Sequence, residues 1–246
     1  MRTFRYTDTD STNERALQSV TEGAAHDGDV HVALRQTKGR GRQGRRWVSA
    51  AGQGLYLSYV HIPKPPSPRP EAVTVAAGLA VLDAVREAGA AGAELKWPND
   101  LVCDGAKLAG VLVESRGLRP EAPHFVVGVG LNVLQREFPE ELEAGRQVTS
   151  LVRLGVETSC RGMEERVLDR LPRRLAQARR EPLALFEEFL VTANLRGTEV
   201  ELVTGGGAWV GTCAGIGSEF EVELALEKGP ARRFPLAHVQ SLTVLP

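Results

Sequence analysis

Apolar and polar positions along this chain follow two periods, and the order in which the blocks occur predicts a mixed α and β protein. Asp10-Ser11-Thr12-Asn13-Glu14 has the form of a capping box, with Ser11 and Glu14 three apart ahead of Ala16, Leu17 and Val20. A helix should therefore begin near residue 12. Val30 to Arg35 and Leu55 to Ile62 read as strands, with a loop rich in glycine and arginine between them. Five prolines in the eight positions from Pro63 to Pro70 predict an extended connection, and an alanine-rich helix should follow over about residues 71 to 89.

From Leu95 the pattern turns to strands again. A short entry strand precedes Leu101 to Cys103 and Lys107 to Glu114, which are joined through the hairpin dipeptide Asp104-Gly105, and Phe125 to Val133 supplies another. Val167, Leu168, Leu171, Leu175 and Ala178 recur at helical spacing, with Pro172 expected to weaken or kink that helix. A second helix from Pro182 should bury Leu185, Phe186, Phe189 and Leu190. Beyond Leu195, short β segments separated by Gly205-Gly206-Gly207, Gly215, Gly217 and Gly229-Pro230 predict a small barrel. The boundary falls near Arg196, giving a main unit over residues 1–195 and a small β-barrel unit over 196–246.

Composition narrows the function class. The 246 residues are 42% hydrophobic, enough for a sizeable core, and 30 basic against 31 acidic side chains leave a net charge of -1. The molecule as a whole thus has no electrostatic bias toward nucleic acid or membranes, so any basic site is local. Three cysteines, Cys103, Cys160 and Cys213, are widely spaced and form no CxxC, which fits a reducing, cytoplasmic setting. The N-terminus carries no apolar run, and the most apolar stretch, Ala72 to Leu82, is too short to span a bilayer.

Three segments carry candidate chemistry. Gly39-Arg40-Gly41-Arg42-Gln43-Gly44-Arg45-Arg46-Trp47 satisfies G-x-G-x-x-G, yet no helix pattern follows it as a dinucleotide fold needs, and no H-R-D or D-F-G triplet supports a kinase loop. Lys38, Arg40, Arg42, Arg45 and Arg46 crowd into nine positions, which keeps nucleic-acid binding open. A small anionic ligand uses the same residues better, since glycine lets amides approach phosphate and arginine grips oxygens in pairs. Trp47 reads equally as a purine platform or an ordinary core aromatic. Lys96-Trp97-Pro98-Asn99-Asp100 is either a turn or a polar pair facing ribose, phosphate or hydrated magnesium. Lys107 heads the apolar run Leu108 to Val113, where it is either a partly desolvated catalytic cation or a hairpin-edge lysine in water. Asn132 is a strand cap or a nucleotide contact. No H-x-x-H pair and no G-x-S-x-G elbow occurs, which removes the main support for metallohydrolase and serine-hydrolase readings.

Taken together, Asp10 through Asn13, Gln36 through Trp47, Lys96 through Asp100, Lys107 through Glu114 and Gly128 through Asn132 resemble the biotin protein ligases, which attach biotin to carrier domains of carboxylases. The resemblance covers most of residues 8–133. It implies an α+β fold, a mixed β-sheet with helices packed against it of the class II synthetase-like kind, followed by a small C-terminal SH3-like β-barrel. By that resemblance Ser11, Thr12, Asn13, Gln36, Gly39, Arg40, Gly41, Arg42, Lys107 and Gly110 would bind biotin. Arg45, Trp47, Lys96, Asn99, Asp100 and Asn132 would bind ATP, with Lys107 and Arg42 as the catalytic cations. The implied reaction joins biotin and MgATP into biotinyl-5'-adenylate, releases pyrophosphate and transfers biotin to a lysine of the biotin carboxyl carrier protein of acetyl-CoA carboxylase or a related carboxylase. Metal ligands are not identified. Some family members carry an N-terminal DNA-binding domain, but only ten residues precede Ser11, so direct DNA binding is not expected, nor a membrane partner. Oligomeric state stays open, a homodimer included. The nearest enzyme alternative, a lipoate or octanoate attachment enzyme, shares the fold and carrier chemistry but should lack the arginine-rich loop.

Overall fold

Strand β1 (Thr3–Thr9), helix α1 (Thr12–Thr21) and strand β2 (Val30–Gln36) form a parallel crossover unit at one edge of a seven-stranded sheet. The structure, a computed structural model, describes residues 1–115, 123–145 and 147–245. β1 has no counterpart in the sequence reading, because Thr3 to Thr9 is largely polar and exposed. Pairing alone defines it, in register with β2 from Thr3 opposite Val30 to Thr9 opposite Gln36. The remaining strands are β3 (Gly54–His61), β4 (Ala93–Lys96), β5 (Asp100–Cys103), β6 (Ala106–Glu114) and β7 (Phe125–Asn132), and the sheet order is β1-β2-β3-β7-β6-β5-β4. Asp104 and Gly105 take φ of 49° and 75°, as a two-residue hairpin between β5 and β6 requires.

One face of this sheet is filled by helices. α2 (Pro70–Glu87) is buried nearly all round, with Ala72, Val73, Val75, Ala76, Leu79, Val81, Leu82 and Val85 enclosed. Such a helix has neighbours on every side; here they are the sheet, α4 (Cys160–Arg180) and α5 (Pro182–Thr192). Each fully buried valine or leucine contributes roughly 2 kcal/mol of transfer free energy before entropy is subtracted. α4 presents Val167, Leu171, Leu175 and Ala178 to the core and continues through Pro172 to Arg180. The Oγ of Ser159 caps it by accepting from Gly162 N at 3.0 Å. A short helix, α3 (Glu140–Gly145), was not anticipated.

Strands β8 (Glu199–Thr204), β9 (Gly207–Ile216), β10 (Glu221–Ala225), β11 (Arg232–Pro235) and β12 (Val239–Val244) form a second, antiparallel sheet in the order β11-β10-β9-β8-β12. This is consistent with an SH3-like unit, and the whole has the expected α+β class. The apolar core runs from the main sheet into this one without a break. Trp97 joins them: its Nε1 donates to Val239 O at 3.1 Å, and its ring meets Phe189 edge-on at 5.5 Å. Phe186 of α5 meets Phe220 in the same way at 6.0 Å.

Candidate active site

The face of the main sheet opposite α2 is only half covered. α1 lies across β2, β3 and β7, and beyond it a cleft with about 690 Å³ of empty space opens over β6 and β7. Its floor is flat because three glycines stand where side chains would rise. Gly110 and Gly130 face each other in register, and Gly128 faces Leu112. A Cβ on Gly130 would lie 2.5 Å from Trp47 Cε2, and one on Gly110 would lie 3.2 Å from Trp47 Cζ3. A Cβ on Gly128 would overlap the Asn13 amide. None of the three has a positive φ, so space, not backbone freedom, requires glycine here.

One end of the cleft is a connected polar cluster. Ser11, Thr12 and Asn13 are buried at the start of α1. Gln36 Oε1 accepts from Thr12 N at 2.8 Å and from Thr12 Oγ1 at 3.0 Å. Ser58, fully buried on β3, bridges Thr12 Oγ1 at 2.7 Å and Asn13 Oδ1 at 2.5 Å. Asn13 Nδ2 donates onward to Glu114 Oε2 at 2.7 Å. The capping box is corrected here: Ser11 does occupy the N-cap, but its side chain makes no cap hydrogen bond, and Glu14 pairs instead with Arg40. The Ser11 side chain faces the cleft it lines.

The arginine loop forms the roof. Arg40 bridges Arg46, Gly41 N donates to Arg45 O at 2.7 Å, and Trp47 N donates to Gly39 O at 2.9 Å, closing a narrow hairpin. Its tip is one turn, Arg42–Gly44, in which Gln43 and Gly44 take φ of 56° and 73°. Gly39 is buried at the root, where a Cβ would lie 2.6 Å from Trp47 O, and it does not line the cleft. Arg40, Gly41, Arg42, Arg45 and Arg46 do line it. Arg42 keeps contact with solvent, yet the protein crowding its guanidinium lowers its pKa, an effect that nearby Asp100 opposes and Arg45 reinforces. Arg45 donates to Gln43 Oε1 at 3.2 Å.

Lys107 and Asp100 meet beneath this roof. Lys107 Nζ lies 2.5 Å from Asp100 Oδ1 and 5.6 Å from the centre of the Trp47 ring, with its side chain only 13% exposed. Its backbone is held from the other side: Lys107 N donates to Gln147 O, and Thr149 N donates to Lys107 O, each at 2.9 Å. Asn99 lines the cleft but spends its amide on Val111 O at 2.6 Å. Lys96 is not brought in; it is exposed on edge strand β4 and lies outside the cleft lining. Asn132 is buried and supports the chain that crosses behind Lys107, donating to Thr149 O at 2.9 Å.

A second, smaller cavity of about 320 Å³ lies beside the cleft, lined by Trp47, Lys107 and Asn132 together with Phe138, Leu142 and Val148. Trp47 and Lys107 border both spaces. Trp47 Nε1 is buried without an acceptor among the described residues, so the partition carries an unused donor. The sequence assigned no role to Ser58, Glu114, Phe138 or Val148, and it placed Glu14 only in the capping box. For the glycines a signal existed, since glycine inside a strand pattern marks close approach. Nothing local marks Ser58, Glu114, Phe138 or Val148.

The sequence profile of the biotin/lipoate A/B protein ligase family matches residues 6–132. The biotin--[acetyl-CoA-carboxylase] ligase of Mycobacterium tuberculosis is 39% identical over 204 residues, which is 81% of this chain and 73% of that protein. The bifunctional ligase/repressor BirA of Bacillus subtilis is 33% identical over 140 residues, 56% of this chain but only 43% of its own length. Among solved structures, a biotin protein ligase from Aquifex aeolicus in complex with biotin and ATP superposes with a TM-score of 0.81 at 30% identity, covering 99% of both chains.

Proposed function

Because this chain belongs to the biotin/lipoate A/B protein ligase family, we propose that it uses ATP to attach biotin to acetyl-CoA carboxylase. It is an enzyme of the ligase class. In the finer reading, a biotin carboxylate oxygen attacks the α-phosphorus of ATP, the bond to the β-phosphate oxygen breaks and pyrophosphate leaves. The ε-amine of a carrier lysine then attacks the acyl carbon of biotinyl-5'-adenylate, and AMP leaves with the bonding pair of the anhydride oxygen.

The observation that carries this reading is the shared border of the two cavities. Lys107 and Trp47 line both, so an acid group in the larger space and a nucleotide in the smaller one would meet at Lys107. The buried Ser11-Thr12-Asn13 cluster and Gln36 support a polar, uncharged head group at the far end, and the glycine floor supports a flat ligand between. A purine would lie among Trp47, Phe138 and Val148. A lysine about 4 Å from a phosphoryl oxygen interacts by roughly 4 kcal/mol at an effective dielectric near 20, before desolvation. Asp100 fixes that ammonium in place beforehand, which is the preorganisation such transition states need. Arg42 would hold the adenylate phosphate, and the loop above it would exclude water from the anhydride.

Magnesium fits this site modestly. Mg²⁺ is usually bound by one or two carboxylates plus the substrate's own phosphates. Asp100 lines the cleft and offers one such carboxylate, with its Oδ1 bonded to Lys107. No group of three or more His, Cys, Asp or Glu side chains able to hold a metal occurs among the described residues, so the nucleotide would supply most ligands. The ion would neutralise phosphate charge. We read residues 1–195 as the catalytic unit, with the C-terminal sheet buttressing Trp97 beneath Asn99 and Asp100.

Incubation with biotin, MgATP and a purified carrier domain, followed by intact-mass measurement, tests both steps. A mass gain equal to one biotin less water is expected. Gain with lipoate or octanoate but not biotin would overturn the substrate assignment.

A further inference from the structure

Arg40 lines the cleft, and its terminal nitrogens are engaged by carboxylates. Nη1 lies 3.1 Å from Glu14 Oε2 in α1, and Nη2 lies 3.1 Å from Glu114 Oε2 at the end of β6. The same Glu114 oxygen accepts from Asn13 Nδ2 at 2.7 Å. The three side chains are 34%, 29% and 27% exposed, so the cluster is partly shielded from water. The Arg40 Nε is buried without an acceptor among the described residues. Both ends of its fork are held by carboxylates.

The position of Arg40 gives the cluster leverage. Its backbone bridges Arg46 at the root of the hairpin whose tip bears Arg42 and whose far side leads to Trp47. At that tip the charge on Arg42 is disfavoured chiefly by burial, an effect that Asp100 opposes and Arg45 reinforces. The cost of burying that cation favours opening, and two carboxylates at the root oppose it. An isolated surface ion pair contributes little. One guanidinium shared by two carboxylates, with Asn13 as a second donor on the Glu114 oxygen, is a stronger, geometrically specific arrangement.

We propose that Glu114 and Glu14 are positioning residues that act through Arg40, anchoring the arginine loop over the cleft. Retention of the activated intermediate then depends on carboxylates that never touch it. The anchoring stands on geometry alone; the retention rests on the adenylate-forming activity proposed above.

The test uses the full chain, Glu114→Gln, Arg40→Met and the double variant. Glu114→Gln is isosteric and keeps an acceptor for Asn13, so the fold should survive it. Hydrogen exchange at the amides of Gly41 and Trp47, both bonded within the loop, is read in ligand-free protein. The dissociation rate of preformed biotinyl-adenylate is read separately. Each single variant should speed both by about tenfold, the scale of a lost hydrogen bond to a charged group. The double variant should be no faster than the faster single one, and Arg40→Lys should fall between wild type and Arg40→Met. Unchanged exchange in Glu114→Gln, or effects that multiply in the double variant, would overturn the anchor. So would a raised KM for biotin in Arg40→Met with release unaltered, which would make Arg40 a ligand contact. Faster exchange in a protein that forms no adenylate would support the anchor while overturning the activity.

Discussion

The arginine loop and the end of β7 are both glycine-rich, and they need glycine for opposite reasons. In the loop, Gly44 takes a φ of 73° with nothing within 4 Å of a would-be Cβ. In the strand, Gly130 has ordinary extended backbone, but its missing Cβ is where Trp47 lies, 2.5 Å away at Cε2. One glycine permits a turn in open space, and the other leaves a space filled by a neighbour. The loop can therefore move while the floor cannot, and a site that must admit ligands and then hold them needs one of each. The charges divide likewise. Lys107 and Asp100 belong to paired strands braced on both sides, whereas Arg42 rides on the turn.

The sharpest way to break this contrast is at the rigid side. Lys107→Ala should lower adenylate formation by at least about 10²–10³-fold, the scale for removing a preorganised charge-stabilising donor, while thermal unfolding changes little. Pyrophosphate exchange measures it, and a wild-type rate would remove Lys107 from the chemistry. Next, Gly130→Ala should push Trp47 off the floor. Overpacking costs about 1–3 kcal/mol, so kcat/KM for ATP should fall by up to about a hundredfold, with a matching loss of stability in urea. Gly128→Ala, colliding with Asn13, should act on biotin instead of ATP. If both alanine variants bind normally, the floor is not what sets the site.

At the mobile side the expected effect is smaller and of another kind. Arg42→Gly removes a cation from the turn but leaves Lys107, Asp100 and the floor intact. Adenylate should still form, and its release should quicken by about tenfold, the loss of one charge-assisted contact. Stopped-flow release of labelled adenylate checks this, and a large fall in the rate of formation with unchanged release would place Arg42 with the rigid set.

The same division explains what could be read from the sequence. The arginine loop, the Trp-Pro-Asn-Asp segment and the Asp104-Gly105 hairpin are local, so their chemistry is written in consecutive residues. The strand β1 is not, because Thr3 to Thr9 is largely polar and is a strand only by pairing with β2. Arg40 was visible as a cation, but Glu14 and Glu114, which hold it, lie 26 positions before and 74 after; Glu14 looks like a helix-capping residue and Glu114 like any strand-end carboxylate. Lys96 and Asp100 sit in one short segment, yet they pair across the β4–β5 turn and only Asp100 reaches the cleft. Asn132 had two readings, cap or contact, and the geometry gives it both a backbone to support and a border on the smaller cavity.

The finest test of the contrast is Gly44→Ala, at the loop glycine with open surroundings. An alanine side chain at φ of 73° meets no neighbour, so its whole penalty is conformational, about 1 kcal/mol. That strain exists only while the turn holds its left-handed geometry. When the loop opens, the substituted residue relaxes to negative φ, so the change raises the open population without altering the closed site. Adenylate release should therefore quicken by up to about fivefold, the Boltzmann factor of that penalty, with formation near wild type and urea stability lower by no more than about 1 kcal/mol. Gly130→Ala predicts the reverse pattern, with impaired formation. Were Gly44→Ala to impair formation as deeply as Gly130→Ala, the loop would have to be part of the rigid site, and the separation of a fixed floor from a moving roof would fail.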